Sequence, residues 1–105
     1  MSETVTLCRA EELTSGQARR FDVGGHRIAL VRTGDEFHAI GDRCSHENFS
    51  LAEGEVWVDE RELECPRHGS TFSLLTGAPC SLPATLAVAV YEVKVDEGNV
   101  SVVLP

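Results

Sequence analysis

Hydrophobic and polar positions along the chain repeat mostly with the period of strands, and no run holds a helical period over three turns. Residues 4–8 form a short β-prone segment, and 10–16 allow one helical turn before Ser15-Gly16. The runs 17–23 and 26–32 flank Gly24-Gly25, which predicts a tight hairpin because glycine takes a positive φ at little cost. A turn at Thr33-Gly34-Asp35 leads to a strand over 36–41. Two further hairpins are predicted, 55–58 with 62–65 around Asp59-Glu60, and 87–95 with 99–104 around Asp96-Glu97-Gly98. Short strands at this spacing predict an all-β fold, an antiparallel sandwich or barrel.

Two stretches, 42–54 and 66–83, do not read as strands and are rich in Gly, Ser, Pro, Cys and His. Loops of that chemistry on a rigid sheet are where function concentrates. The 105 residues amount to one domain, with 42% hydrophobic and 25% charged residues, which excludes a disordered chain. Nine Lys and Arg against seventeen Asp and Glu give a net charge of −8, and such a surface repels nucleic acid. No apolar run approaches the roughly 20 residues of a membrane span. The first residues, Met1-Ser2-Glu3-Thr4, do not resemble a signal peptide, so a cytoplasmic setting is expected. In that setting four cysteines point to metal or redox use before disulfides.

The two loops carry Cys44-Ser45-His46 and Cys65-Pro66-Arg67-His68, a C-x-H and a C-x-x-H separated by eighteen residues. That interval holds two strands and a turn, so a hairpin can return the second loop beside the first. Two thiolates and two imidazoles suit tetrahedral zinc, or a [2Fe–2S] cluster in which two His replace two Cys on one iron. Zinc sites usually pair cysteines as C-x2-C, and neither loop does so.

The mixed pair resembles the signature of Rieske proteins, and the flanking residues extend the likeness. Phe37-His38-Ala39-Ile40-Gly41-Asp42-Arg43 before the first loop, Leu51-Ala52-Glu53-Gly54 after it, and Gly69-Ser70-Thr71-Phe72 after the second are similar to the soluble Rieske-type ferredoxins of bacterial aromatic-ring dioxygenases. The resemblance implies a Rieske sandwich or barrel over 1–105 with an inserted cluster-binding subdomain at about 42–83. It also implies one [2Fe–2S] cluster, with Cys44 and Cys65 on one iron and His46 and His68 on the other. The protein is then an electron carrier without catalysis of its own, a monomer serving a flavin-containing reductase and a terminal oxygenase. Two other roles share the fold: an accessory of iron–sulfur cluster assembly, and the small subunit of a nitrite reductase, whose members often lack the four ligands.

Charge arithmetic gives the electronic consequence. Two ferric ions, two sulfides and two thiolates sum to zero, whereas four thiolates give −2, so histidine ligation raises the potential. Respiratory Rieske proteins add a disulfide between the cluster loops and a Ser and Tyr that donate to cluster sulfur. Here Phe49 and Arg67 stand near the disulfide positions, Ser70 matches the Ser, and Phe72 replaces the Tyr. A potential below the respiratory type is expected. Gly69 is expected to bring backbone close to the cluster, and Pro79 and Pro83 to stiffen a shielding loop. Cys8 is expected as a buried apolar residue, Cys80 as a free thiol, and His26 and His38 as non-ligands. Trp57 is expected to pack within its hairpin. Glu53, Glu55, Asp59, Glu60, Glu62 and Glu64 make the stretch between the loops acidic, either a solvated face or a docking surface.

Overall fold

The computed structural model describes residues 3–42, 50–66, 69–80 and 87–104. Among them, strands β1 (Glu3–Arg9), β2 (Ala18–Val23), β3 (His26–Thr33), β4 (Glu36–Gly41), β8 (Val90–Asp96) and β9 (Asn99–Leu104) build one antiparallel sheet in the order β1-β9-β8-β4-β3-β2. The shorter β5 (Val56–Trp57), β6 (Glu62–Glu64) and β7 (Thr71–Ser73) build a second, three-stranded antiparallel sheet. No helix among the described residues is long and apolar enough to cross a membrane.

The predicted punctuation is where the chain turns. Val23 pairs with His26 across Gly24 and Gly25, whose φ angles are 54° and 81°. Two successive positive φ values match the twist of the flanking strands. Residues Ala10–Glu12 form the expected single turn, of 3-10 type. Two expectations are corrected. Thr71–Ser73, read as loop, is the third strand of the small sheet, because Phe72 buries fully opposite Leu63 while its neighbours pair with Glu62 and Glu64. The run 87–95 enters the sheet only at Val90.

The core divides at one hairpin. Ile28, Ala29, Leu30 and Val31 on β3 are all fully buried, as a continuous apolar run requires when both faces of a strand are covered. Ile28 and Leu30, with Ala39 of β4, face a cluster completed by Cys8, Leu13, Val100, Val102 and Leu104. Ala29 and Val31, with Ile40 of β4, face the other way, onto Leu51, Leu63, Cys65, Phe72 and Leu74. The hairpin β3–β4 is therefore a shared wall. One side lines the core of the large sheet and the other forms the seam on which the small sheet sits.

A charged clamp spans the same two parts at the periphery. Arg61 Nε and Nη2 donate to the two oxygens of Glu36, at 2.8 and 3.0 Å. Arg61 holds a φ of 54°, unusual for a residue with a side chain, at the turn before β6. The bond from Arg61 holds the Glu36 carboxyl below its ordinary range.

Candidate metal centre

Of the four predicted ligands, Cys65 lies among the described residues, while Cys44, His46 and His68 lie outside them. Cys65 follows β6 directly and is fully buried in the seam with Leu51, Leu63, Phe72 and Leu74. Its N–H donates to the carbonyl of Ser70 at 2.7 Å, and its carbonyl accepts the N–H of Gly69 at 3.1 Å. These bonds pinch the base of the loop that contains His68. Gly69 has a φ of 74°, and a Cβ placed there would meet no atom within 4 Å. That left-handed backbone favours glycine at this position. Ser70 is also fully buried.

The first loop is bracketed by described residues at both ends. Asp42 directly follows β4 before it, and Ser50 and the 3-10 turn Leu51–Glu53 follow it. Leu51 packs into the seam beside Cys65. One residue beyond that turn, the backbone of Gly54 crosses β6 so closely that an added Cβ would collide with the carbonyl oxygen of Glu64. Glu64 N–H then donates to the Glu55 carbonyl at 2.9 Å. The chain leaving the first loop is thereby fixed against the residue that precedes Cys65. This is the return that the eighteen-residue interval was expected to allow.

Pro79 is half-buried and forms a bridge to Phe72, with Cys80 N–H donating to Thr71 at 2.7 Å and Ser73 N–H to Ala78 at 2.9 Å. The segment thus lies along the outer side of β7. Pro83 lies outside the described residues. Phe72 is fully buried, so no solvent reaches its ring. Cys80 is exposed, and its thiol is pushed up by desolvation and then by Glu62. Cys8 is buried in the large core, as expected.

The remaining histidines are engaged elsewhere. His26 Nδ1 is 3.1 Å from the Tyr91 hydroxyl, and His38 Nε2 is 2.9 Å from that of Thr33. Burial pushes His38 below the ordinary histidine range, against the opposing pull of Glu36. Trp57 departs from expectation, keeping 41% of its surface exposed. Sequence reasoning missed Asp42 and Gly54 as structural residues of this site.

The donor set fits a [2Fe–2S] cluster. The soft thiol of Cys65 stands in a wall of apolar side chains, and the histidine-bearing loop beyond it is pinched at its base. Such a cluster supplies a reversible one-electron couple.

Comparison with known proteins agrees with this construction. The pattern of the Rieske [2Fe-2S] domain matches residues 3–92. The chain is 42% identical over 97 residues to Ferredoxin CarAc of Metapseudomonas resinovorans, covering 91% of this chain and 89% of that one. It is also 42% identical over 101 residues to the 3-phenylpropionate/cinnamic acid dioxygenase ferredoxin subunit of Escherichia coli K12, covering 96% and 93%. Among solved structures, the ferredoxin of carbazole 1,9a-dioxygenase from Nocardioides aromaticivorans IC177 superposes with a TM-score of 0.92 at 37% identity, covering 94% and 95%. A ferredoxin in a complex of reduced oxygenase and oxidized ferredoxin in carbazole 1,9a-dioxygenase superposes at 0.86 with 41% identity, covering 93% and 99%. A nitrite reductase small subunit from Mycobacterium tuberculosis, at 24% identity and 0.90, shares the fold.

This chain belongs to the Rieske [2Fe-2S] family. Its cofactor is a Rieske-type [2Fe–2S] cluster, and it is an electron-transfer component of the ferredoxin kind, not catalytic alone.

Proposed function

We propose that this chain carries single electrons from a flavin-containing reductase to the terminal oxygenase of an aromatic-ring dioxygenase. Cys44 and Cys65 hold one iron, and His46 and His68 hold the other. Residues 42–83 act as the cluster-binding subdomain, and the protein works as a cytoplasmic monomer. The observation that carries this reading is the 42% identity to ferredoxin components of dioxygenases along 91% or more of the chain. The test is a reduced-state EPR spectrum with iron and sulfide assays, followed by reconstitution with reductase and oxygenase. Two irons, two sulfides, a low average g and oxygenase reduction are expected. Zinc without sulfide would refute the ligand set, and a loaded protein unable to reduce any ring-hydroxylating oxygenase would refute the partner.

Two outcomes follow for the potential and for docking. In protein-film voltammetry, Ser70→Ala is expected to lower the potential, because a buried hydroxyl adjoining the second loop is lost. Phe72→Tyr is expected to raise it if its new hydroxyl donates to cluster sulfur, since burial otherwise leaves that hydroxyl a costly orphan. An unchanged potential in Ser70→Ala removes that hydroxyl from the tuning. Glu53, Glu55, Asp59 and Glu60 are exposed on the small-sheet side, around half-exposed Trp57. A basic partner would be steered to this surface, so stopped-flow reduction is expected to slow as salt rises. Rates indifferent to ionic strength would leave these carboxylates a solvated face.

A further inference from the structure

We propose that Asp42 is the positioning residue of the first ligand loop, a clasp that ties the chain leaving β4 to the chain returning at Ser50–Ala52. The inference rests on the assignment of Cys44 and His46 as ligands. Asp42 has a side chain with 0% exposure, unusual for an aspartate. Three of its polar contacts fasten the loop's stems. One carboxylate oxygen accepts the Ser50 hydroxyl at 2.5 Å, and the other accepts the Ala52 N–H at 2.8 Å. The Asp42 carbonyl accepts the Leu51 N–H at 2.7 Å. Its own N–H donates to the Arg27 carbonyl of β3 at 2.9 Å, which anchors the clasp to the shared wall. Arg20 Nε stands 3.7 Å from the carboxylate and supplies the opposite charge.

Three consecutive returning residues are thus held by one residue on the departing side. A buried carboxylate is costly unless paired and hydrogen-bonded, and here both conditions are met. The seven residues between the stems include both ligands of the first loop. Fixing the ends of so short a loop narrows where its side chains can go. An aspartate that merely supported the 3-10 turn would alter unfolding and leave the metal site's properties alone.

The test uses reconstituted holoprotein, with the decay of visible absorbance under an iron chelator and the reduced EPR line shape as readouts. Asp42→Ala is expected to shorten the chromophore's lifetime about tenfold and to broaden the EPR signal, as loss of a partner behind a ligand typically does. Asp42→Asn keeps an acceptor for Ala52 N–H and can donate to Ser50, so it is expected to restore both readouts to within about threefold. Wild-type behaviour of Asp42→Ala overturns the proposal. So does an Asn variant as impaired as the Ala one, since charge and not the clasp would then matter. Should Asp42→Ala not fold, Ser50→Ala decides: a lifetime about threefold shorter supports the clasp, and an unchanged one overturns it. Cys44→Ala separates the two layers. If it is colourless while Asp42→Ala matches wild type, the clasp alone fails; if it keeps the wild-type EPR signal, the ligand assignment fails and takes the clasp with it.

Discussion

Gly54→Ala is expected to destabilise the protein by about 3 kcal/mol and to cost most of its colour, although alanine is a mild change almost anywhere else. Gly54 has a φ of −86° and a ψ of −179°, a conformation open to any residue. The penalty is therefore not conformational. It comes from the Cβ, which would collide with the carbonyl oxygen of Glu64. A long side chain can swing aside, but this neighbour is backbone in β6, paired with β7 on one side and bonded to Glu55. Relief requires moving β6 away from the first loop's exit, and Cys65 is the next residue along. Gly25→Ala is the matched control. Its φ of 81° strains an L-residue, but a Cβ there meets nothing within 4 Å, so a cost of about 1 kcal/mol and unchanged colour are expected. Urea unfolding and the visible spectrum of both variants check this. A Gly54→Ala protein no less stable than Gly25→Ala would show that β6 yields easily.

The hairpins were readable because their signals are local. Gly24-Gly25 and Asp96-Glu97-Gly98 mark turns that need positive φ, and the structure turns there, with Glu97 and Gly98 both at positive φ. The run Ile28–Ala29–Leu30–Val31 was readable as apolar, but its meaning was not. Its two faces serve two different clusters, and which partners cover each face is decided by residues far along the chain. Strand β7 was hidden for a similar reason. Three residues are too few to show a period, and Thr71–Ser73 extends only because β6 offers it a ladder. Among the proposed ligands, Cys65 was singled out by chemistry and spacing. Asp42 and Gly54 did not, since an aspartate after a strand and a glycine before an acidic run usually mark plain turns. Only long-range packing shows that one is fully buried and the other touches β6.

The shared wall leads to the second large effect, a comparison of Leu51→Ala with Leu30→Ala. Both leucines are fully buried, and each truncation is expected to cost about 2–5 kcal/mol. They differ in which side of β3–β4 they occupy. Leu30 belongs to the core of the large sheet, Leu51 to the seam with Cys65, Leu63 and Phe72. A cavity at Leu51 loosens the first loop's return and the packing around Cys65, while the large core keeps its own contacts. In urea, loss of visible absorbance is expected to precede loss of far-UV circular dichroism for Leu51→Ala and to coincide with it for Leu30→Ala. Separated transitions would mean that the seam can open locally, as expected where few elements cross it. They would also give the proposed 42–83 subdomain thermodynamic content, a unit that lets go of its metal before the large sheet unfolds. Coincident transitions in both variants would mean that β3–β4 couples its two faces so tightly that neither core melts alone, and the subdomain would then be a description of topology only.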